Sequence, residues 1–283
     1  MGRGSRWGVL RWALIVLLAA AAALAAKAWS DTVADPEVMR LTAQLEGLPP
    51  GTPPMRLLLL SDIHVAGPDM PPERLVRIVK QANALRPDMV LIAGDFVSEK
   101  RTATRLYPAD AAIAPLAALE APLGKIAVPG NHDHWFGIAD VRRELERAEF
   151  TVLANAAVRA GPLAIGGIDD DYTGRADLSA TLAAVDRLDG GRVLLSHSPD
   201  PFPDLPADFG LMLAGHTHCG QIRYPWGGSP ATMSAYGDRY ACGAVRENGN
   251  LLVTTAGLGT SVLPFRLFSR PEMWLIEVVP AAR

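Results

Sequence analysis

Residue types able to hold a divalent cation gather in five short packets: Asp62-Ile63-His64, Gly94-Asp95, Gly130-Asn131-His132-Asp133, a lone His197, and Gly215-His216-Thr217-His218. Five of the six histidines in this 283-residue chain lie in those packets, and the sixth, His134, sits beside one. The set suits a two-metal hydrolytic centre, in which ions about 3.5–4 Å apart clamp a phosphoryl group and turn water into a nucleophile near neutral pH. Two ions that each keep a position open for water or substrate need roughly seven or eight ligand atoms. Asp62, His64, Asp95, Asn131, His197, His216 and His218 supply that count, with donors that Mn, Fe, Zn and Ni all accept. One packet alone is also what a turn residue looks like, bonded to its own backbone. Five in order are harder to read that way.

The order Asp-x-His, Gly-Asp, Gly-Asn-His-Asp, a lone His and Gly-His-Thr-His resembles the calcineurin-like metallophosphoesterases. Gly220-Gln221 after the last packet and the later Gly257-Leu258-Gly259-Thr260 make it similar to their membrane-associated bacterial branch, typified by the YkuE-like phosphoesterases. The resemblance covers about residues 55–279. It implies a four-layer α/β/β/α sandwich and two divalent metal ions. Asp62, His64 and His218 would hold one ion, Asn131, His197 and His216 the other, and Asp95 would bridge them. His132 would stay free of metal and act on the leaving oxygen, as an imidazole near its working pH can. Asp133 would orient it. The chain departs from the family at Cys219, where relatives carry glycine, and at Ala256, where they often carry a polar or basic residue.

These packets need rigid elements to aim them, and the hydrophobic pattern provides them. Met55–Leu60 and Met89–Ala93 are continuous apolar runs, as expected of strands buried on both faces, and each ends at a packet. Runs at 126–128, 193–195 and 211–214 likewise deliver Gly130-Asn131, His197 and Gly215-His216. Helices are expected over about 73–85, 138–149 and 178–188, with further strands at 163–168, 251–254 and 273–279. The pattern alone gives an α/β fold with a mixed sheet and the packets on loops at strand ends, where such sheets carry their sites.

The start of the chain is different. Residues 13–26 read ALIVLLAAAAALAA, preceded by Arg3, Arg6 and Arg11 and closed by Lys27. That run is short of the ~20 residues of a full span and has the outline of a signal sequence, yet snorkelling by Arg11 and Lys27 would let it cross a bilayer uncleaved. Residues 1–28 are therefore expected to be an anchor or signal, with the arginines inside and the remainder outside the cytoplasm. Residues 29–54, rich in proline, are expected to be a linker, and 55–283 the catalytic domain.

A net charge of −3 and no basic patch interleaved with aromatics give no reason to expect nucleic acid as a partner. A phosphate ester is the expected substrate, and the membrane the other partner. Cys219 and Cys242 are open to three readings: a disulfide, two inert thiols, or a role at the metal. Asp169-Asp170-Asp171 reads best as a solvated turn, with Arg175 close behind to pair with it or with a phosphate. Two rivals remain: a non-catalytic metal-binding scaffold of the same fold, which loss of His132 would have marked, and a mononuclear iron oxygenase, which needs only three ligands and leaves the other packets without a purpose. The best reading is a phosphoesterase using a metal-bridging hydroxide on mono- or diesters that are membrane-proximal or lipid-linked.

Overall fold

The computed structural model describes residues 3–281; Met1, Gly2, Ala282 and Arg283, which belong to the first and last expected segments, lie outside the described residues. Two six-stranded sheets face each other. The first runs β1 (Glu37–Leu45), β14 (Glu272–Pro280), β2 (Met55–Leu60), β4 (Met89–Ala93), β6 (Lys125–Val128) and β7 (Phe150–Val152). The second runs β12 (Gly243–Glu247), β13 (Asn250–Thr254), β11 (Leu211–Ala214), β10 (Gly191–Leu195), β9 (Leu163–Gly167) and β8 (Ala156–Ala160). A small ribbon of β3 (Ala66–Gly67) and β5 (Arg105–Leu106) stands apart.

Alternation along the strands builds the layers. Leu57, Leu59, Leu91 and Val128 point inward, against Ile165, Val193, Leu195 and Leu213 of the second sheet. Leu58, Leu60, Val90 and Ile92 point outward, under α2 (Pro72–Ala84), the short α3 (Ala109–Ile113) and α4 (Asn131–Arg147). On the far side Ala164, Leu194 and Met212 pack with Val185 of α5 (Leu178–Val185) and with Phe202 and Phe209. Both faces of each central strand are thus covered, which is why those strands are apolar without interruption. The expected four-layer sandwich is the fold.

Two boundaries differ from expectation. Residues 29–54 are not a linker: the chain stays helical to Val33, and Glu37–Leu45 then pairs in parallel with Glu272–Pro280 as the edge of the first sheet. That strand buries only Ala43 and Leu45 fully, so its hydrophobic period is weak, and the flanking prolines mask it. The helix expected from 138 begins at Asn131 and is broken at Gly137, whose φ of 134° a side chain rarely adopts. Asn131, His132 and Asp133 therefore stand on a first helical turn rather than in a loop.

The long α1 (Arg3–Val33) contains one helix, Trp7–Val33, long and apolar enough to cross a membrane. Its end is built into the domain. Asp31 and Thr32 are buried, Thr32 Oγ1 accepts from the Arg266 backbone N–H at 2.6 Å, and Asp31 Oδ2 accepts from that of Phe268 at 3.0 Å.

Candidate metal centre

The C-terminal ends of β2, β4 and β6 in one sheet and β10 and β11 in the other meet at one edge, bringing all five packets together. Asp62 N–H donates to the Gly94 carbonyl at 3.0 Å, and across the two sheets His197 Nδ1–H donates to the Ala93 carbonyl at 2.6 Å. His216 N–H donates to Asp62 Oδ2 at 2.9 Å. Packing here leaves no room for a side chain at Gly94, where a Cβ would lie 2.7 Å from His197 Nδ1. Asp62, His64, Asp95, His216 and His218 all have φ between 48° and 69°, the left-handed region that non-glycine residues seldom enter. Strain at five neighbouring residues persists only where the surroundings dictate it, and such outliers cluster at functional sites.

The side chains form two groups that share one atom. Asp95 Oδ2 lies 3.4 Å from His64 Nε2 and 3.2 Å from His197 Nε2. In the first group His64 Nε2 is 3.2 Å from His218 Nε2, which is 3.4 Å from Asp62 Oδ1. In the second, His197 Nε2 is 3.0 Å from Asn131 Oδ1 and 3.1 Å from His216 Nδ1. Asp95 Oδ1 is engaged by the His132 backbone N–H at 2.9 Å, which leaves Oδ2 for sharing.

A cation fits this arrangement. Because His197 Nδ1 donates to a carbonyl, its neutral form would turn the Nε2 lone pair toward two oxygens, a repulsive contact unless a proton or a metal lies between. Asp62 Oδ1 and His216 Nε2 are buried without any hydrogen-bond partner, a costly state for polar atoms. Burial above all pushes Asp62 up to about 6 and Asp133 up to about 7, with Asp95 adding repulsion to both. Burial also drives His64, His216 and His218 down, keeping their lone pairs free. His197 is the exception: burial opposes its charge, but Asp95 and Asp62 outweigh it and push it up to about 10. The centre is rich in donors and short of positive charge.

His132 lies beside both groups, its ring 4.6 Å from that of His64. Its expected partner is wrong. Asp133 does not touch the imidazole; its carboxylate accepts backbone N–H groups of Asp95 (2.8 Å), Gly130 (2.9 Å) and Phe96 (2.9 Å), folding the Gly94-Asp95 and Gly130-Asn131 loops onto one anchor. Glu99 orients His132 instead, its Oε1 2.7 Å from Nδ1, and Ser261 Oγ stands 3.3 Å from Nε2. Burial alone would lower the His132 pKa, but Asp95 and Glu99 hold it above the ordinary imidazole value. Nothing in the sequence singled out Glu99 or Ser261, since each comes from a loop whose course only the fold decides.

Other expectations resolve here as well. Cys219 and Cys242 are joined in a disulfide directly after His218. Asp169 pairs with His134 at 2.7 Å, and Asp170 is fully buried, so the acidic run is not a solvated turn. Ala256 offers no basic side chain, but the buried Arg266 brings its guanidinium to the Ala256 carbonyl at 2.6 Å and to within 3.2 Å of His218 Nδ1. Trp135 and Tyr172 line the pocket over the centre together with Met233, Ser261 and Val262.

Comparison with known proteins agrees with this geometry. The model of the family "Calcineurin-like phosphoesterase" matches residues 55–220. An uncharacterized metallophosphoesterase YkuE of Bacillus subtilis is 31% identical over 237 residues, 80% of this chain and 79% of that protein. A transmembrane protein with metallophosphoesterase domain from Danio rerio is 30% identical over 92% of this chain, which spans 61% of that longer protein. Among solved structures, Haemophilus influenzae NAD nucleotidase superposes with a TM-score of 0.50 at 17% identity, over 73% of this chain and 46% of that one, a likeness of fold.

Proposed function

The chain belongs to the calcineurin-like phosphoesterases, hydrolases of phosphoester bonds, and from that premise we propose a two-metal enzyme acting on phosphate mono- or diesters close to a membrane. The observation that carries the proposal is the position of Asp95 Oδ2, within 3.4 Å of His64 Nε2 and 3.2 Å of His197 Nε2. An oxygen placed between two donor groups supports Asp95 as the shared ligand, with Asp62, His64 and His218 on one ion and Asn131, His197 and His216 on the other. Mn, Fe, Zn and Ni all suit these donors.

Two divalent ions held there would supply the Lewis acidity that polarises a phosphoryl group and activates water. The protein's own part is positioning and proton transfer. Glu99 holds His132 Nδ1, so Nε2 faces the pocket and, protonated, donates to the leaving-group oxygen. Ser261 Oγ, 3.3 Å from Nε2, limits the ring's rotation. Asp133 fixes the loops that carry Asp95 and Asn131.

The membrane part rests on α1 and on likeness to a transmembrane relative. We read α1 as an uncleaved anchor, because its last residues are built into the domain core, and the arginines before the apolar run favour a domain outside the cytoplasm. Hydrolysis of a panel of mono- and diesters by the full chain, loaded in turn with each metal, tests the activity and its substrate class. Failure with every ester and every metal would overturn it.

A further inference from the structure

The first sheet settles where α1 leaves the domain. Glu37 of β1 lies beside Glu272 of β14, and β14 runs antiparallel to β2 with Trp274 beside Leu59. β1 and β14 thus begin where β2 ends, so α1 exits from the same sheet edge that carries Asp62, Asp95 and Asn131. From Ala26, the end of the apolar run, to the buried Asp31 is five residue steps, about 7–8 Å of helix at 1.5 Å per residue. A bilayer crossed by α1 would therefore begin within about 10 Å of the catalytic edge.

That edge carries solvent-exposed apolar side chains. The segment 261–268 starts in the pocket, where Ser261 faces His132 and Val262 lines the opening, and ends bonded to Thr32 and Asp31. Four residue steps separate Val262 from Arg266, at most about 14 Å of chain. Val262 is 70% exposed and Leu263 and Phe265 also face solvent, while Phe265 meets Trp29 of the helix edge to face at 6.5 Å. The neighbouring loop is bonded onto this segment through Arg223 N–H to the Leu267 carbonyl at 2.9 Å, and it presents Tyr224 stacked on Trp226, the latter 81% exposed. Tryptophan and tyrosine with aliphatic neighbours are the composition of a membrane–water interface.

We infer that this face is seated on the lipid bilayer, with Trp226, Leu263 and Phe265 at headgroup level and the catalytic pocket opening onto the membrane surface beside Val262. The inference deepens the proposed function and rests on α1 being an uncleaved anchor. A phosphate ester in a lipid headgroup would then reach the centre by sideways movement within the leaflet, without being lifted through water.

The test uses the full chain in nanodiscs of phosphatidylcholine and phosphatidylglycerol. Both native cysteines are in the disulfide, so a single added thiol can be labelled with an environment-sensitive fluorophore at Leu263→Cys, Trp226→Cys, Leu17→Cys within the helix, or Glu120→Cys before β6 at the opposite sheet edge. Spin-labelled lipid with its nitroxide near the headgroup should quench positions 226 and 263 roughly threefold more than position 120, as expected of interfacial anchors, and lipid with its nitroxide at mid-chain should quench position 17. Quenching at position 17 without quenching at 226 and 263 would overturn the inference while leaving the anchor intact. A blue-shifted but unquenched label at 263 would assign the face to a second copy of the chain, again overturning it. Absence of quenching at position 17 would remove the anchor and the inference together, whereas loss of ester hydrolysis in the unlabelled chain would strike the proposed function alone.

Discussion

His132 is aimed by Glu99: Nδ1 of the imidazole lies 2.7 Å from one carboxylate oxygen and 2.9 Å from the other. A carboxylate in that place stabilises the imidazolium and turns Nε2 toward the pocket. His132→Gln should leave bound metal nearly intact and slow hydrolysis by ~10²–10⁴-fold, the usual share of a general acid. The loss should shrink for esters with a nitrophenolate leaving group, which needs little protonation. Loss of metal in this variant would make His132 a ligand instead.

Glu99→Gln separates orientation from charge. The amide can still bond Nδ1, but it no longer favours the protonated ring, so the His132 pKa, held up by Asp95 and Glu99, should fall. On the proposed role of His132 as general acid, its protonated form is the active one and disappears as pH rises through that pKa. The alkaline limb of the kcat profile should therefore move to lower pH, a displacement that a purely structural role for Glu99 would not produce.

Asp133→Asn should unfasten the centre without touching His132. The carboxylate accepts three backbone N–H groups at 2.8–2.9 Å, and the amide nitrogen would face donors where an acceptor is required. Each buried group left without a partner costs about 1–3 kcal/mol. Metal content and thermal stability should fall together, measured by elemental analysis and by loss of ester hydrolysis after graded heating.

Metal loading should release protons. His197 is pushed up to about 10 and Asp62 up to about 6; below those values the metal-free forms carry a proton that an ion must displace. Apparent affinity should therefore rise with pH through the neutral range, and His197 should release about one proton per chain at pH 7. Calorimetry in two buffers of different ionisation enthalpy reads that number directly. A pH-independent affinity would contradict the assignment of His197.

The disulfide closes a loop that includes the residues after His218, with a sequence separation of 23. On chain entropy such a crosslink is worth about 3 kcal/mol. Replacing both cysteines by alanine should lower the urea midpoint accordingly and weaken metal retention, because His218 loses a fixed neighbour. An unchanged midpoint would show that the loop is held by its other contacts.

The convergence of the five packets at one sheet edge was legible because each of their residues is a rare type at the end of an apolar run, and the strands that deliver them are buried on both faces. The edge strand Glu37–Leu45 was not, since an edge buries too few side chains to mark a period, and its stability comes from pairing with residues 272–280, more than 200 positions away. Glu99 and Ser261 escaped for a related reason: a lone carboxylate or hydroxyl in a loop has no local signature, and only the folded loops bring them to His132. Asp133 was found but given the wrong task. Sequence adjacency to His132 suggested a contact that the first turn of α4 forbids, because successive residues on a helix point in different directions.

The central claim is a pair of ions sharing Asp95. Elemental analysis of the full chain, purified under saturating divalent metal and active on a phosphate ester, should find about two ions per chain, and Asp95→Asn should lose metal and more activity than any other ligand substitution, since a shared ligand serves both sites. A fully active wild-type chain holding one ion, or an Asp95→Asn variant that keeps both ions and its rate, would contradict the account.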